Sequence, residues 1–311
     1  MTSDPTTFLT GTRWQDWQTD ALAGDASSRT YARLTAPDGE TAILMDARAE
    51  APMGMTQFVN IARWLTAHGL SAPRILRQGE GLLLLEDLGP QTLAVAATHE
   101  TEDALYDAAV NVLIALDRLA PPDGLGAMTP DVGAQMVAIA AEVYHPCDPA
   151  PLTAAVGAAL TAHAPRADRL ALRDYHAENL IWRPARRGLD HIGLLDFQDA
   201  FVAPRGYDLA SLLRDIRRPV TAAQVTRQTA RFADATGADP AALGAQLAVL
   251  GAQRNLRILG VFARLAQRGK PSYAALLPAV WDALLRDLAH PALHDLARVV
   301  LATLPPPHAR A

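Results

Sequence analysis

Asp174, Asn179 and Asp196 are the residues of this chain whose types and spacing could do chemistry together. Residues 170–208 read LALRDYHAENLIWRPARRGLDHIGLLDFQDAFVAPRGYD, with Asp174 and Asn179 in a D-x-x-x-x-N arrangement and Asp196 closing the apolar run 192–195. Arg186, Arg187 and Gly188 supply a turn between the two halves. An acid, an amide and a second acid in this order are the parts of a phosphoryl-transfer centre. The first orients a hydroxyl and takes its proton, while the other two hold the magnesium that bridges nucleotide phosphates. Magnesium takes oxygen ligands, and Asn179 and Asp196 both offer oxygen. One such residue alone reads more simply as a turn or a cap. Three in order, flanked by strand-like runs, point to a site. His176 and Glu178 lie between them, but no further His or Cys stands at ligand spacing, so no transition-metal site is expected. Asp199 reads equally as a metal or substrate contact and as a turn residue.

The elements that must position these residues follow from periodicity. Arg29, Tyr31 and Arg33 alternate with Thr30, Ala32 and Leu34, the pattern of a half-buried strand. Residues 21–48 read as strand, small-residue turn, strand, hairpin at Pro37, Asp38 and Gly39, and strand. A helix is expected at 55–68, stopped by Gly69, and a central strand at 82–85. Before all of these, Trp14 and Trp17, three apart, suggest a short helix with an aromatic side. Glu86, Asp87, Leu88 and Gly89 form a polar turn where the composition changes. Beyond it the chain reads helical at 105–119, 132–143 and 151–164, and again at 208–217, 222–235, 241–265, 273–289 and 292–304. The order is an α+β plan in two domains: 1–88, small and strand-rich, and 89–311, larger and mainly helical.

Half of the 311 residues are hydrophobic, aromatics are few, the net charge is -5 and the pI is near 6.0. That balance offers no footprint for nucleic acid or an anionic membrane, and suits small-molecule partners. Arg254, Arg257 and Arg264 interrupt the longest greasy stretch, 247–265, so no membrane span is expected. The opening MTSDPTTFLTGTRW lacks the charged flank and apolar core of a secretory signal. The single cysteine, Cys147, cannot form an internal disulfide. A cytoplasmic location is the expectation. G-x-x-x-x-G-K-[ST] and G-x-S-x-G are both missing, and Gly79-x-Gly81 has no third glycine, which argues against P-loop, hydrolase and dinucleotide readings.

LRDYHAENLIW followed by GLLDFQDAFVAPRGYDLASLL resembles the aminoglycoside phosphotransferase family, the small-molecule relatives of protein kinases. Within it, the bacterial N-acetylmuramate/N-acetylglucosamine anomeric kinases are the most similar subgroup. GDASSRTYARL, AILMDA, GLLLLEDLG and GAQRNLRILGVFARLAQRGK extend the resemblance over most of the chain. It implies a protein-kinase-like two-lobe fold, ATP and Mg2+, with Asp174 as base and Asn179 and Asp196 on the metal. Gly24, Asp25, Ala26, Ser27 and Ser28 fall where the family covers the phosphates, and small residues there let backbone N–H groups approach. Glu86, Asp87 and Leu88 fall at the interlobe hinge that meets the nucleotide base. The implied acceptor is the anomeric hydroxyl of an N-acetylated amino sugar. Choline, homoserine or an aminoglycoside are the alternatives, as is a kinase-shaped binding protein without catalysis.

The chain departs from the family in three places. Met45 stands where a strand Lys would hold the α- and β-phosphates, the helix MTQFVNIARWLTAHG has no Glu to pair with it, and Leu172 replaces a His before the catalytic Asp. Arg29 or Arg33 is expected to supply the missing positive charge. Asp208 matches a family Asp that is structural rather than catalytic. Gln253, Arg254, Asn255 and Arg257 lie on the helix expected to face the acceptor, with Arg254 a candidate contact and at least one of the four exposed to solvent. Such a wall suits a neutral or anionic acceptor, because Arg grips a carboxylate bidentately and repels amines.

Overall fold

Pro37, Asp38 and Gly39 fold two strands into a hairpin: Gly39 takes φ +89°, and its N–H donates to the Ala36 carbonyl at 3.0 Å. The structure is a computed structural model and describes residues 4–22, 29–49 and 52–307. In chain order its elements are α1 (Pro5–Leu9), β1 (Gln18–Leu22), β2 (Thr30–Thr35), β3 (Thr41–Asp46), α2 (Pro52–Ala67), β4 (Ile75–Gln78), β5 (Leu82–Glu86), α3 (Leu93–Ala96) and α4 (Glu102–Asp117). There follow α5 (Pro130–Gln135), a π turn (Ala140–Tyr144), α6 (Ala150–His163), β6 (Arg169–Ala171), β7 (Leu180–Trp182), β8 (Ile192–Leu194) and β9 (Phe201–Ala203). The chain continues through α7 (Tyr207–Leu213), α8 (Ala222–Thr236), α9 (Pro240–Gln267), α10 (Leu277–Leu288) and α11 (His294–Thr303). The last two helices are each preceded by a 3₁₀ turn, Pro271–Leu276 and Pro291–Leu293. No described helix is long and apolar enough to cross a membrane.

Packing separates the chain into two units, Met1–Ala108 with Glu178–Asp199, and Ala109–Ala177 with Ala200–Ala311. The first contains an antiparallel sheet in the order β1-β2-β3-β5-β4. Leu34, Ala42, Leu44, Leu82 and Leu84 form its apolar core with Phe8 and Leu9. This division differs from a single cut at residue 88. The hairpin of β7 and β8 joins the strand-rich unit because Ser71 bridges Gly193 and Thr92 bridges Ile181, with Leu194 N–H donating to Ser71 O at 2.8 Å. Trp14 and Trp17 also differ from expectation. The helix ends at Leu9, Gly11 turns the chain at φ +72°, and the two indoles meet edge to face at 6.4 Å in the turns that follow.

In the second unit the 28-residue α9 is surrounded, with α6, α7, α8, α10 and the π turn packed on it. Its middle is therefore buried all round. Gln253, Arg254 and Asn255 are 0%, 6% and 1% exposed and Arg257 is half-buried, so the expected solvent-facing member of that group does not exist. The helix expected over 132–143 is also broken: α5 stops at Gln135, and the chain resumes as the π turn, which sets the backbone of Ile139 against Gly260 of α9.

This contact gives two glycines of one helix opposite behaviour. A Cβ at Gly260 would lie 2.5 Å from the Ile139 carbonyl carbon, whereas one at Gly244 would meet nothing nearer than His290 Nε2 at 3.8 Å. Gly244→Ala is expected to raise stability by about 0.5–1 kcal/mol through helix propensity. Gly260→Ala is expected to lower it by about 1–3 kcal/mol through overpacking. Thermal melts of the two variants should shift in opposite directions, and a common direction would contradict the packing described.

Candidate active site

The hairpin of the first unit brings two of the chemically competent residues together. Asn179 precedes β7 and Asp196 follows β8. Leu180 pairs with Leu194, and Leu195 N–H donates to Asn179 O at 3.0 Å, so the two side chains emerge side by side. Asn179 Nδ2 donates to Asp196 Oδ2 at 3.3 Å, and Gln198 Nε2 donates to Asp196 Oδ1 at 2.6 Å. Asp196 itself sits at φ +56°, a costly conformation for a residue with a Cβ and one that clusters at functional sites.

Both residues line a cavity of about 450 Å³ within this unit. Leu22, Tyr31, Ile43 and Leu85 of the sheet form its apolar wall, and Glu86, Asp87, Leu88 and Gly89 one edge. Arg29 and Arg33 also line it, and Met45, fully buried, does not. Arg29 is 3% exposed, with its guanidinium 5.6 Å over the Phe58 ring, and Phe58 stacks at 4.9 Å on Phe197, the neighbour of Asp196. Arg33 Nε donates to Asp87 Oδ2 at 2.7 Å, and Asp87 Oδ1 accepts the Gly89 N–H at 2.9 Å. Glu86 is held between Arg74 Nε at 2.9 Å and Arg183 Nη2 at 3.1 Å. The side chains of Glu86 and Asp87 thus brace the cavity edge. Asp199 is exposed and lies off the cavity wall. Gly24, Asp25, Ala26, Ser27 and Ser28 lie outside the described residues.

Asp174 stands in the second unit, on a loop tied down along its length. Leu172 N–H and Arg173 N–H donate to Asp208 Oδ2 and Oδ1 at 2.6 and 3.0 Å, Ala177 N–H reaches Asp215 Oδ2 at 3.3 Å, and the buried Tyr175 hydroxyl donates to Ala109 O at 2.8 Å. Asp208 has the structural role the resemblance implied. Asp215 carries no motif spacing, and nothing in the sequence alone marks it. Arg254 Nη2 approaches Asp174 Oδ1 at 3.4 Å, and its Nη1 donates to Arg173 O at 3.0 Å. Burial works to raise the Asp174 pKa, but the pull of Arg254, Arg173 and Arg257 outweighs it and holds the carboxyl below its ordinary value. An ionised carboxylate at neutral pH is the result. Burial, with Arg217 beside it, lowers the neighbouring His176 to about 4, against the opposing pull of Asp215 and Asp174.

Asn179 and Asp196 form a pair of hard oxygen donors at a cavity edge, with arginines on the same wall. That donor set fits magnesium, which takes few protein ligands and completes its shell with water and phosphate. Among the described residues no group of three or more His, Cys, Asp or Glu offers a cage for another metal.

Residues 19–245 match the model of the phosphotransferase enzyme family. The N-acetylmuramate/N-acetylglucosamine kinase of Caulobacter vibrioides is 35% identical, over 93% of this chain and 93% of that protein. A protein of the same name from Pseudomonas aeruginosa is 28% identical over 91% and 87%. Among solved structures, the choline/ethanolamine kinase family protein from Mesorhizobium loti superposes with a TM-score of 0.64 at 15% identity, covering 96% of this chain and 95% of that one. Amicoumacin kinase hAmiN in complex with AMP-PNP, Ca2+ and Ami gives 0.62 at 16%, covering 90% and 92%. At those identities the likeness shows the fold, which is kinase-like and α+β.

The lowered pKa of His176 gives a stability signature. The unfolded chain binds a proton near pH 6.5 and the folded one only near pH 4, so the contribution is complete above pH 6.5 and is lost as pH falls toward 4. At its largest this is about 3 kcal/mol. Urea denaturation between pH 7.5 and 4.5 should show a shallower fall for His176→Gln than for the unaltered chain. Equal slopes would mean that His176 is not held neutral.

Proposed function

Because the chain belongs to the phosphotransferase enzyme family, we propose that it transfers the terminal phosphoryl group of ATP to the anomeric hydroxyl of N-acetylmuramate or N-acetylglucosamine. The observation that carries this reading is Asn179 beside Asp196 on the wall of a cavity that also presents two arginines. The choice of sugar is supported by the names of the relatives. The first unit takes the nucleotide, and the second supplies the base and the acceptor contacts. Use of ATP assigns the reaction to the cytoplasm.

The residues divide the work by their chemistry. Asp174, ionised by its arginines, accepts the proton of the sugar hydroxyl as that oxygen bonds to the γ-phosphorus. The bond from the γ-phosphorus to the β–γ bridging oxygen breaks, and ADP leaves. Asn179 and Asp196 would hold magnesium, which when bound neutralises charge on the phosphate oxygens. Arg29 and Arg33 supply the positive wall that a strand Lys gives elsewhere. Residues 86–88 meet the nucleotide base.

Asp174→Asn should lower kcat roughly 10²–10⁴-fold while nucleotide affinity, read by calorimetry, stays close to normal. A near-normal rate would remove Asp174 from the role of base. Arg29→Ala and Arg33→Ala should each raise the nucleotide KM about 10-fold or more, the size of a lost charge-assisted contact. Unchanged KM in both variants would contradict their assignment. No ADP release from the unaltered chain with either sugar, ATP and magnesium would leave the kinase-shaped binding protein as the reading.

A further inference from the structure

Arg254 is fully engaged beside Asp174, one guanidinium nitrogen on the Arg173 carbonyl and another on the Asp174 carboxylate. Three residues on in α9, Arg257 returns to the same side of the helix, about 4.5 Å further along its axis. That step is of the order of a sugar ring. Arg173, on the other side of Asp174 in sequence, is held at φ +77°, with its guanidinium 5.9 Å over Phe201.

The carboxylates of this neighbourhood already have tasks. Asp174 pairs with Arg254, Asp208 takes the Leu172 and Arg173 N–H groups, and Asp215 takes those of Ala177 and Arg217. Among the described residues, none pairs with Arg257 as Asp174 pairs with Arg254. Burial first, and then the charge of Arg173, lower the Arg257 pKa, and the attractions of Tyr207 and Asp174 rank below them. A half-buried guanidinium one turn along α9 from the Arg254–Asp174 contact is a receptor for an anion, and its planar fork matches a carboxylate. The Asp174 side chain is 32% exposed, so an acceptor can reach it.

Resting on the function proposed above, we infer that Arg257 receives a carboxylate of the acceptor and makes the site favour a carboxylated amino sugar over a neutral one. N-acetylmuramate carries such a group on the lactyl ether at carbon 3, and N-acetylglucosamine has only a hydroxyl there. Arg254, the candidate read from sequence, instead orients the base and its loop.

The test is the ratio of kcat/KM for N-acetylmuramate to that for N-acetylglucosamine, measured by ADP release on the full chain. Arg257→Ala should lower this ratio roughly 10- to 100-fold, chiefly through the KM for N-acetylmuramate, and Arg257→Lys should restore part of it. A ratio that does not move, in either variant, overturns the carboxylate subsite and leaves the kinase reading standing. If the unaltered chain phosphorylates neither sugar, the fault lies in that reading. Because both sugars are assayed on one preparation, a folding defect lowers both rates together and is told apart from lost selectivity, which a thermal melt confirms.

Discussion

The buried carboxylate of Asp208 takes the N–H groups of Leu172 and Arg173, and the placement of Asp174 in the second unit follows from it. Burial pushes the Asp208 pKa up to about 7, against the two N–H groups that favour its charged form. Each carboxylate oxygen takes one of the two donors, whereas an amide in this place would turn its NH2 group toward one of them. With them fixed, Arg173 can be kept at positive φ, a conformation that costs about 1–3 kcal/mol for a residue with a Cβ. The following residue is thereby aimed at Arg254. Asp215 and Tyr175 hold the rest of the loop, so Asp174 has few ways to move.

Charge is distributed in an unusual way for a kinase-like fold. The third strand offers Met45, which is buried, and the cavity wall draws its positive charge from Arg29 and Arg33. Arginine keeps its charge when desolvated, where a lysine in the same place would tend to lose it. Arg29 is almost wholly buried over an aromatic ring, a setting that suits the weakly hydrated guanidinium. Arg33 has a second task, since its bond to Asp87 braces the edge beside Gly89. Arg29, just before β2, and Arg33 within it thus supply both charge and shape.

Much of this was legible in the sequence, and the residues show why. Asn179, Asp196 and the turn between them are local, and a β-hairpin is set by spacing, so their meeting could be read directly. The strands at 30–35, 41–46 and 82–86 and the cap at Gly69 were equally local. What depended on distant partners was not legible. The hairpin joins the strand-rich unit through Ser71 and Thr92, more than 80 residues away in sequence, and Asp215 binds Ala177 across 38 residues without a motif. The burial of residues 253–255 depends on the helices that surround α9, which periodicity along α9 alone does not report.

Leu172 bears on whether this loop can serve catalysis at all. At the position where the family resemblance implies a His supporting the loop, this chain buries a leucine at 2% exposure. A decayed loop would be expected to lose its remaining tethers once the imidazole had gone. Here the backbone of Leu172 and Arg173, the Tyr175 hydroxyl and the Ala177 N–H each have a buried acceptor, and Asp174 keeps an arginine against its carboxylate. Each of those acceptors desolvates a polar group, a cost that a mere scaffold could avoid with apolar packing. The leucine is thus better understood as an apolar filler in a loop whose orientation has passed to Asp208 and Asp215, which is the rigidity that the role proposed for Asp174 requires.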